Sequence, residues 1–191
     1  MATNSEAEST VLRLWLLFRQ VGDAVSLCQD MVYSKYKLTT EQFGVLASIK
    51  ARGPLRPLDL AFILERSPNS MSMIVDRMVK AGLVRRTRDR KDRRAVFVSM
   101  TDKGRKAVEP AIPAGWEFVH KIVLPLSYDD QRALASMLET VKCELVSCLN
   151  PEMDRAEIIK KSLTRDPNLY KRMVKNVLPP GYKAKGKRRK K

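Results

Sequence analysis

Residues 85–100 read RRTRDRKDRRAVFVSM. The first ten hold seven Lys or Arg and two Asp, and the last six, Ala95 to Met100, alternate small or polar with apolar side chains. Alternation with period two is the pattern of a half-buried strand. A solvated charged loop needs no strand behind it, whereas a basic turn that must be held stiffly against a target does. Leu83 to Arg88 and Ala95 to Met100 are therefore expected to pair as a β-hairpin around the turn 89–94, with Val96 and Val98 on one face and Phe97 on the other.

The segment before the hairpin explains what it serves. Ser67 is placed to cap a helix, with Pro68 at its first position, and Gly82 to end it. Within 68–81, Met71, Ile74, Val75, Met78 and Val79 fall on one helical stripe, expected to be buried. The other face carries Asn69, Ser70, Ser72, Met73, Asp76, Arg77 and Lys80. Two shorter helices precede it. Thr40 and Glu41 are read as the start of one ending near Arg52, and Pro57 as the first residue of another through Leu64. Three short helices and a basic hairpin make a winged helix-turn-helix, in which the last helix enters a major groove while the hairpin reaches an adjacent minor groove or phosphates.

Outside this core, residues 8–36 read as one long helix. Val11, Leu14, Trp15, Phe18, Val21, Val25, Cys28 and Val32 keep helical spacing, and Leu12, Leu16 and Leu17 widen the apolar stripe beyond one face. Thr101 or Asp102 opens a further helix, which Pro110 and Pro113 are expected to bend or interrupt. Ser127 with Asp130 caps a long amphipathic helix through Leu149. The expected fold class is mainly α with a small β-hairpin wing, its winged core at about 39–104 and its outer helices at about 8–36 and 102–149. Short helices are expected over 151–178, and a disordered polybasic tail over 179–191.

Charge agrees with a polyanionic partner. The 191 residues carry 37 Lys plus Arg against 21 Asp plus Glu, a net charge of +16, of which residues 151–191 hold +10. Such a balance favours nucleic acid. The polar start MATNSEAEST is not a signal peptide, and no run approaches the roughly 20 apolar residues of a membrane-spanning helix, so a cytoplasmic chain without a membrane partner is expected. Cys28, Cys143 and Cys148 are odd in number and suit a reducing compartment. His120 is the single histidine, so no metal site and no cofactor are expected. With no nucleophile–base pair, Gly-rich phosphate loop or framed carboxylate dyad, the chain does not read as an enzyme.

The stretches LTTEQFGVLASI, SPNSMSMIVDRMVKAGLVRR and above all DRRAVFVSMTDKG resemble the MarR family of bacterial transcription regulators. With the flanking long helices, the resemblance spans about residues 8–150. It implies a homodimer held by the outer helices, with helix 68–81 in the major groove and the wing 85–100 in the minor groove of a pseudo-palindromic operator. It further implies a regulator, taken here as a repressor, released by a small aromatic or phenolic ligand. Three features depart from the family pattern. Met73 stands where an Arg or other polar residue is usual, Pro110 and Pro113 fall in a helix that usually runs long, and 151–191 has no typical counterpart.

The DNA-contact candidates are Ser67, Asn69, Ser70, Ser72, Met73 and Arg77 on the helix, with Arg88, Arg90, Lys91, Arg93 and Arg94 on the wing. Asp92 is expected to orient wing arginines, since a carboxylate near phosphates is repelled, and Arg94 can be tied to it. Asp76 is expected to serve as a salt-bridge partner. Trp15, Phe18 and Trp116 are read first as core or dimer interface and second, with Arg19, as candidates for a ligand pocket. Two other functions stay open on the residues alone: a thiol-based redox sensor, and a winged-helix interaction protein without specific DNA binding.

Overall fold

The computed structural model describes residues 4–88, 96–149 and 152. Its elements run α1 (Asn4–Ser34), α2 (Thr40–Arg52), α3 (Pro57–Ile63), α4 (Pro68–Lys80), β1 (Val84–Arg88), β2 (Val96–Met100), α5 (Asp102–Val123) and α6 (Tyr128–Leu149). The fold is the expected one, mainly helical with one antiparallel hairpin. The segments 151–178 and 179–191, read as short helices and tail, lie outside the described residues except for Glu152.

Local chemistry accounts for the boundaries of the core. α2 opens at Thr40 as expected, and Thr39 caps it. Its hydroxyl accepts from Gln42 N at 3.2 Å while the Gln42 side chain accepts from Thr39 N at 3.1 Å, a reciprocal capping box. Ser67 caps α4, with Pro68 as its first residue. Gly82 at φ +70° ends α4. Leu83 N donates to Met78 O and Gly82 N to Val79 O, so the last carbonyls of the helix are paired before the chain turns into β1.

β1 and β2 pair in the register Val84 with Met100, Arg86 with Val98 and Arg88 with Val96. Leu55 adds a bridge to Val98, with both N–H groups donating across it. Val84 and Val98 are buried on the face turned to the helices. Beneath them lies the core, built from Val45, Leu46, Leu60, Met71, Val75, Met78, Leu83, Val108 and Ile112, with Tyr33 joining from the end of α1 and Leu38 from the link to α2. Burial lifts the Tyr33 phenol to about 12, because its charged form would lose solvation. Its ring stacks on Phe43 at 3.9 Å.

The start of α5 is locked to the end of α4. Thr101 Oγ1 lies 2.6 Å from Gly82 O and 3.0 Å from Leu83 O, and it accepts from Gly104 N. A Cβ on Gly104 would sit 2.1 Å from Leu83 O, so only glycine permits this approach. The Thr101 and Gly104 of the sequence motif are therefore the joint between wing and outer helix.

Two expectations are corrected. Val79 is exposed rather than buried. It stands about 80° round the helix from Met71, the centre of the stripe, at 100° per residue. α5 is not interrupted at Pro110 or Pro113 and runs through both. The carbonyls those prolines leave without an N–H belong to Lys106 and Glu109, exposed residues that water can serve. The α1 stripe, read as wider than one core face, is largely bare within one chain: Val11, Leu14, Trp15, Phe18, Val21 and Cys28 are exposed, and Val25 and Val32 are half-buried. Only the last turns of α1 reach the core.

Candidate nucleic-acid interface

α4 divides cleanly into two faces. Met71, Ile74, Val75 and Met78 are buried, which fixes the roll of the helix and turns Asn69, Met73, Asp76, Arg77 and Lys80 to solvent. Ser72 is half-buried at the boundary. Met73 is 64% exposed. Ser67 and Ser70, both read as DNA contacts, also carry the cap. Ser67 Oγ accepts from Ser70 N at 3.2 Å and donates to Ser70 Oγ at 2.9 Å. Arg77 borders a small cleft of about 120 Å³ with Thr39, Glu41, Gln42 and Ile74.

The hairpin is joined to this helix by an ion pair. Arg86 Nη1 donates to Asp76 Oδ1 at 2.5 Å, so the expected salt-bridge role of Asp76 is met, and its partner is a strand residue absent from the contact candidates. The register explains the choice. Arg86 lies opposite Val98, on the face turned toward α4, whereas Arg85, Thr87, Phe97 and Ser99 share the other face. On that other face the Arg56 guanidinium stands 5.8 Å from the Phe97 ring centroid. Alternation along β1 carried this information, once Val84 was placed in the core.

Arg88 ends β1 and is exposed. Arg90, Lys91, Asp92, Arg93 and Arg94 lie outside the described residues. The described part of the interface thus combines a polar face with one exposed thioether, a buried opposite face, and a basic strand pinned beside it. Cations and hydroxyls in this setting suit phosphates and base edges, and Met73 suits an apolar group in a groove.

The ligand-pocket candidates are distributed differently. Trp15, Phe18 and Arg19 are exposed on α1, and Trp116 is half-buried on α5, tilted against His120 at 5.1 Å. The contact between the two helices that can be located is at Tyr33, whose hydroxyl would lie 2.6 Å from a Cβ on Gly115. Phe18 precedes Tyr33 by a helical path of roughly 22 Å, at 1.5 Å per residue. Within one chain, Trp15 and Phe18 therefore stand far from Trp116. All three cysteines are free, with Cys143 buried and Cys28 and Cys148 exposed. Among the described residues no group of His, Cys, Asp and Glu could hold a metal ion, and no helix is long and apolar enough to cross a membrane.

The profile of the MarR family matches residues 38–96, from the approach to α2 to the first residue of β2. The HTH-type transcriptional regulator PecS of Dickeya dadantii is 30% identical over 121 residues, which are 62% of this chain and 73% of PecS. The chain belongs to the MarR family. Like other MarR-family members it is a DNA-binding transcription regulator with a winged-helix fold. The HTH-type transcriptional repressor MdtR of Bacillus subtilis is 37% identical over 70 residues, covering 37% of this chain and 45% of MdtR. A mutant MarR from E. coli, solved in complex with operator DNA, superposes with a TM-score of 0.63 at 25% identity, over 69% of this chain and 95% of that one.

Proposed function

We propose that this MarR-family chain is a homodimeric repressor that reads a pseudo-palindromic operator, with α4 in the major groove and the wing 85–100 in the minor groove. The observation that carries the reading is the split of α4. One face is committed to the core, and the opposite face offers Asn69, Ser72, Met73 and Arg77 beside a hairpin pinned through Asp76 and Arg86. The E. coli relative bound to operator DNA has the same fold, and MdtR is named a repressor. Apolar side chains left bare along α1, α5 and α6 support the second copy. Two such heads related by a two-fold axis read half-sites about one helical turn, roughly 10 bp, apart.

A small aromatic or phenolic effector would bind where the second chain brings α1 aromatics near α5, since one chain keeps Phe18 and Trp116 apart. Redox sensing has less support, because no second cysteine is seen beside Cys28, Cys143 or Cys148 among the described residues. The test is selection of duplexes from a random pool, followed by footprinting on the enriched sequence. Two protected half-sites on one face of the duplex are expected. Protection of one asymmetric half-site would overturn the dimeric reading, and failure to enrich any sequence would overturn specific DNA binding.

A further inference from the structure

The turn between α3 and α4 decides how the reading helix is presented, because Ser67, the cap of α4, follows it directly. The turn closes α3 with a left-handed residue. Glu65 sits at φ +51°, and its N–H donates to Phe62 O as part of the backbone cap that ends the helix. Two ion pairs from other helices flank this cap. Arg66 Nη2 contacts Glu41 Oε1 of α2 at 3.4 Å, and Lys142 Nζ of α6 contacts Glu65 Oε1 at 2.7 Å. Arg66 N also donates to Ala61 O, closing the end of α3.

The Lys142 contact is the more informative, because α6 is otherwise a bare helix. Its only buried residue is Cys143, the immediate neighbour of Lys142, and it is partly covered chiefly over 141–147. Among the described residues, the place where α6 is most covered is thus the place where it meets the turn. α3 and α4 themselves supply no cation to Glu65 among the described ion pairs. The partner comes from 77 positions away in sequence, on a helix outside the winged core.

We propose that Lys142 is a positioning residue for DNA reading: through Glu65 it braces the turn before α4, so the seating of α6 sets how well the reading face is presented. The inference rests on α4 being the reading helix. Both partners are partly exposed, with side-chain exposures of 30% for Lys142 and 51% for Glu65, so the pair adds little to global stability. Its effect falls on the local equilibrium between a braced and a loosened turn. Loss of the pair should lower the binding-competent fraction, and apparent affinity falls by the same factor.

The experiment uses the full chain and two probes: a duplex enriched by the wild-type protein from a random pool, and a random-sequence duplex of equal length. Lys142→Ala should reduce the ratio of specific to non-specific affinity about three-fold, and Lys142→Glu, which sets two carboxylates together, about ten-fold. The thermal midpoint should move by no more than about 2 °C. Amide exchange of residues 64–70 should quicken. The double variant Lys142→Glu with Glu65→Lys restores the pair in reverse and should bring the ratio back to within about two-fold of wild type. If Lys142 instead touched DNA, the swap would not rescue and the salt slope would fall by about 0.9. That result, or an unchanged ratio in Lys142→Glu, overturns the brace while leaving α4 as reader. Failure of the wild-type chain to enrich any sequence removes both.

Discussion

Leu46, Leu60, Met71 and Met78 of the winged core are wholly enclosed, while Leu27, Met31 and Leu149 on α1 and α6 are 68%, 70% and 74% exposed. Both regions are rich in apolar residues at helical spacing, so their sequences look alike. The difference lies in what one chain can supply. Around the core, α2 to α5 and the hairpin close on each other. Among the described residues, nothing covers the stripe along α1 and α6 except at the last turns of α1 and near Cys143. A face of that kind on a regulator whose targets are expected to be two-fold symmetric is most economically covered by its own copy.

The sharpest way to break this contrast is with glycine. A methyl on Gly104 meets Leu83 O, a backbone atom that cannot swing aside, and Leu46 Cδ2 at 3.1 Å. Gly104→Ala should cost about 3 kcal/mol and lower the thermal midpoint by about 10 °C. In the outer region, nothing lies within 4 Å of a Cβ on Gly22. Gly22→Ala should be neutral or stabilise α1 by up to about 1 kcal/mol, through helix propensity alone. Calorimetry of the two variants checks both. Equal midpoints would mean the joint at Thr101 is not as tight as its geometry requires.

Next in size is the outer face itself. Trp15→Glu places a charge in the bare stripe without touching the core. Sedimentation should shift from about twice the chain mass of 21.8 kDa to that of a single chain. Affinity for a two-half-site duplex should fall about 100-fold, as the second head no longer adds its effective concentration. Retention of the heavier species would show that α1 is covered by something other than a second copy at this position.

How much of this was legible beforehand follows the same division. The stripe of α4, its Ser67 cap and the pairing of the hairpin can be read because each follows from spacing or turn chemistry along a short stretch, whereas the lock of Thr101 on Gly82 O and Leu83 O, 19 and 18 positions away, could not. Val79 failed because it sits at the margin of the stripe, where spacing alone does not decide burial. The α1 stripe is legible as an apolar surface too wide for one core, though periodicity does not say which chain covers it. The ion pairs Arg86–Asp76, Lys50–Glu109 and Lys142–Glu65 join residues 10, 59 and 77 positions apart. No local pattern selects those partners from many charges. The prolines of α5 were judged by the bonds they remove, whereas exposure of the freed carbonyls settles the outcome.

A smaller effect tests how firmly α1 is anchored where it does reach the core. Tyr33 is raised from 10.0 to about 12 by burial. A group that binds its proton more tightly when folded contributes stability that is complete below its unfolded pKa and is lost as pH climbs through the folded one. Stability should therefore be flat up to about pH 10 and decline toward pH 12 through Tyr33. Tyr33→Phe should remove that part of the decline, as read from denaturant midpoints across the range. An identical decline in the variant would mean that the phenol is solvated, and that the end of α1 is not seated on Phe43 and Gly115.

The smallest expected effect concerns the place where the proposed reading surface of the core resembles the outer helices. Met73 is 64% exposed among Asn69, Asp76 and Arg77, on a helix whose other face is closed. Unlike the residues of the α1 stripe, it has no apolar neighbours on its own face of α4 with which to form a protein–protein patch. A second copy is thus a poor explanation for it. An apolar side chain in a major groove meets the methyl group of thymine, a contact that adds modest discrimination. Met73→Ala should weaken binding to the selected duplex about three-fold and leave random duplex unchanged, because phosphate contacts do not pass through this position. Replacing thymine by uracil at single positions of the selected site should reproduce the loss in the wild-type protein at one position per half-site, and add nothing further in Met73→Ala. Additive losses would assign the methyl contact to another residue. Sensitivity to Met73→Ala on random duplex alone would make the methionine a packing element against the sugar–phosphate wall rather than a reader of bases.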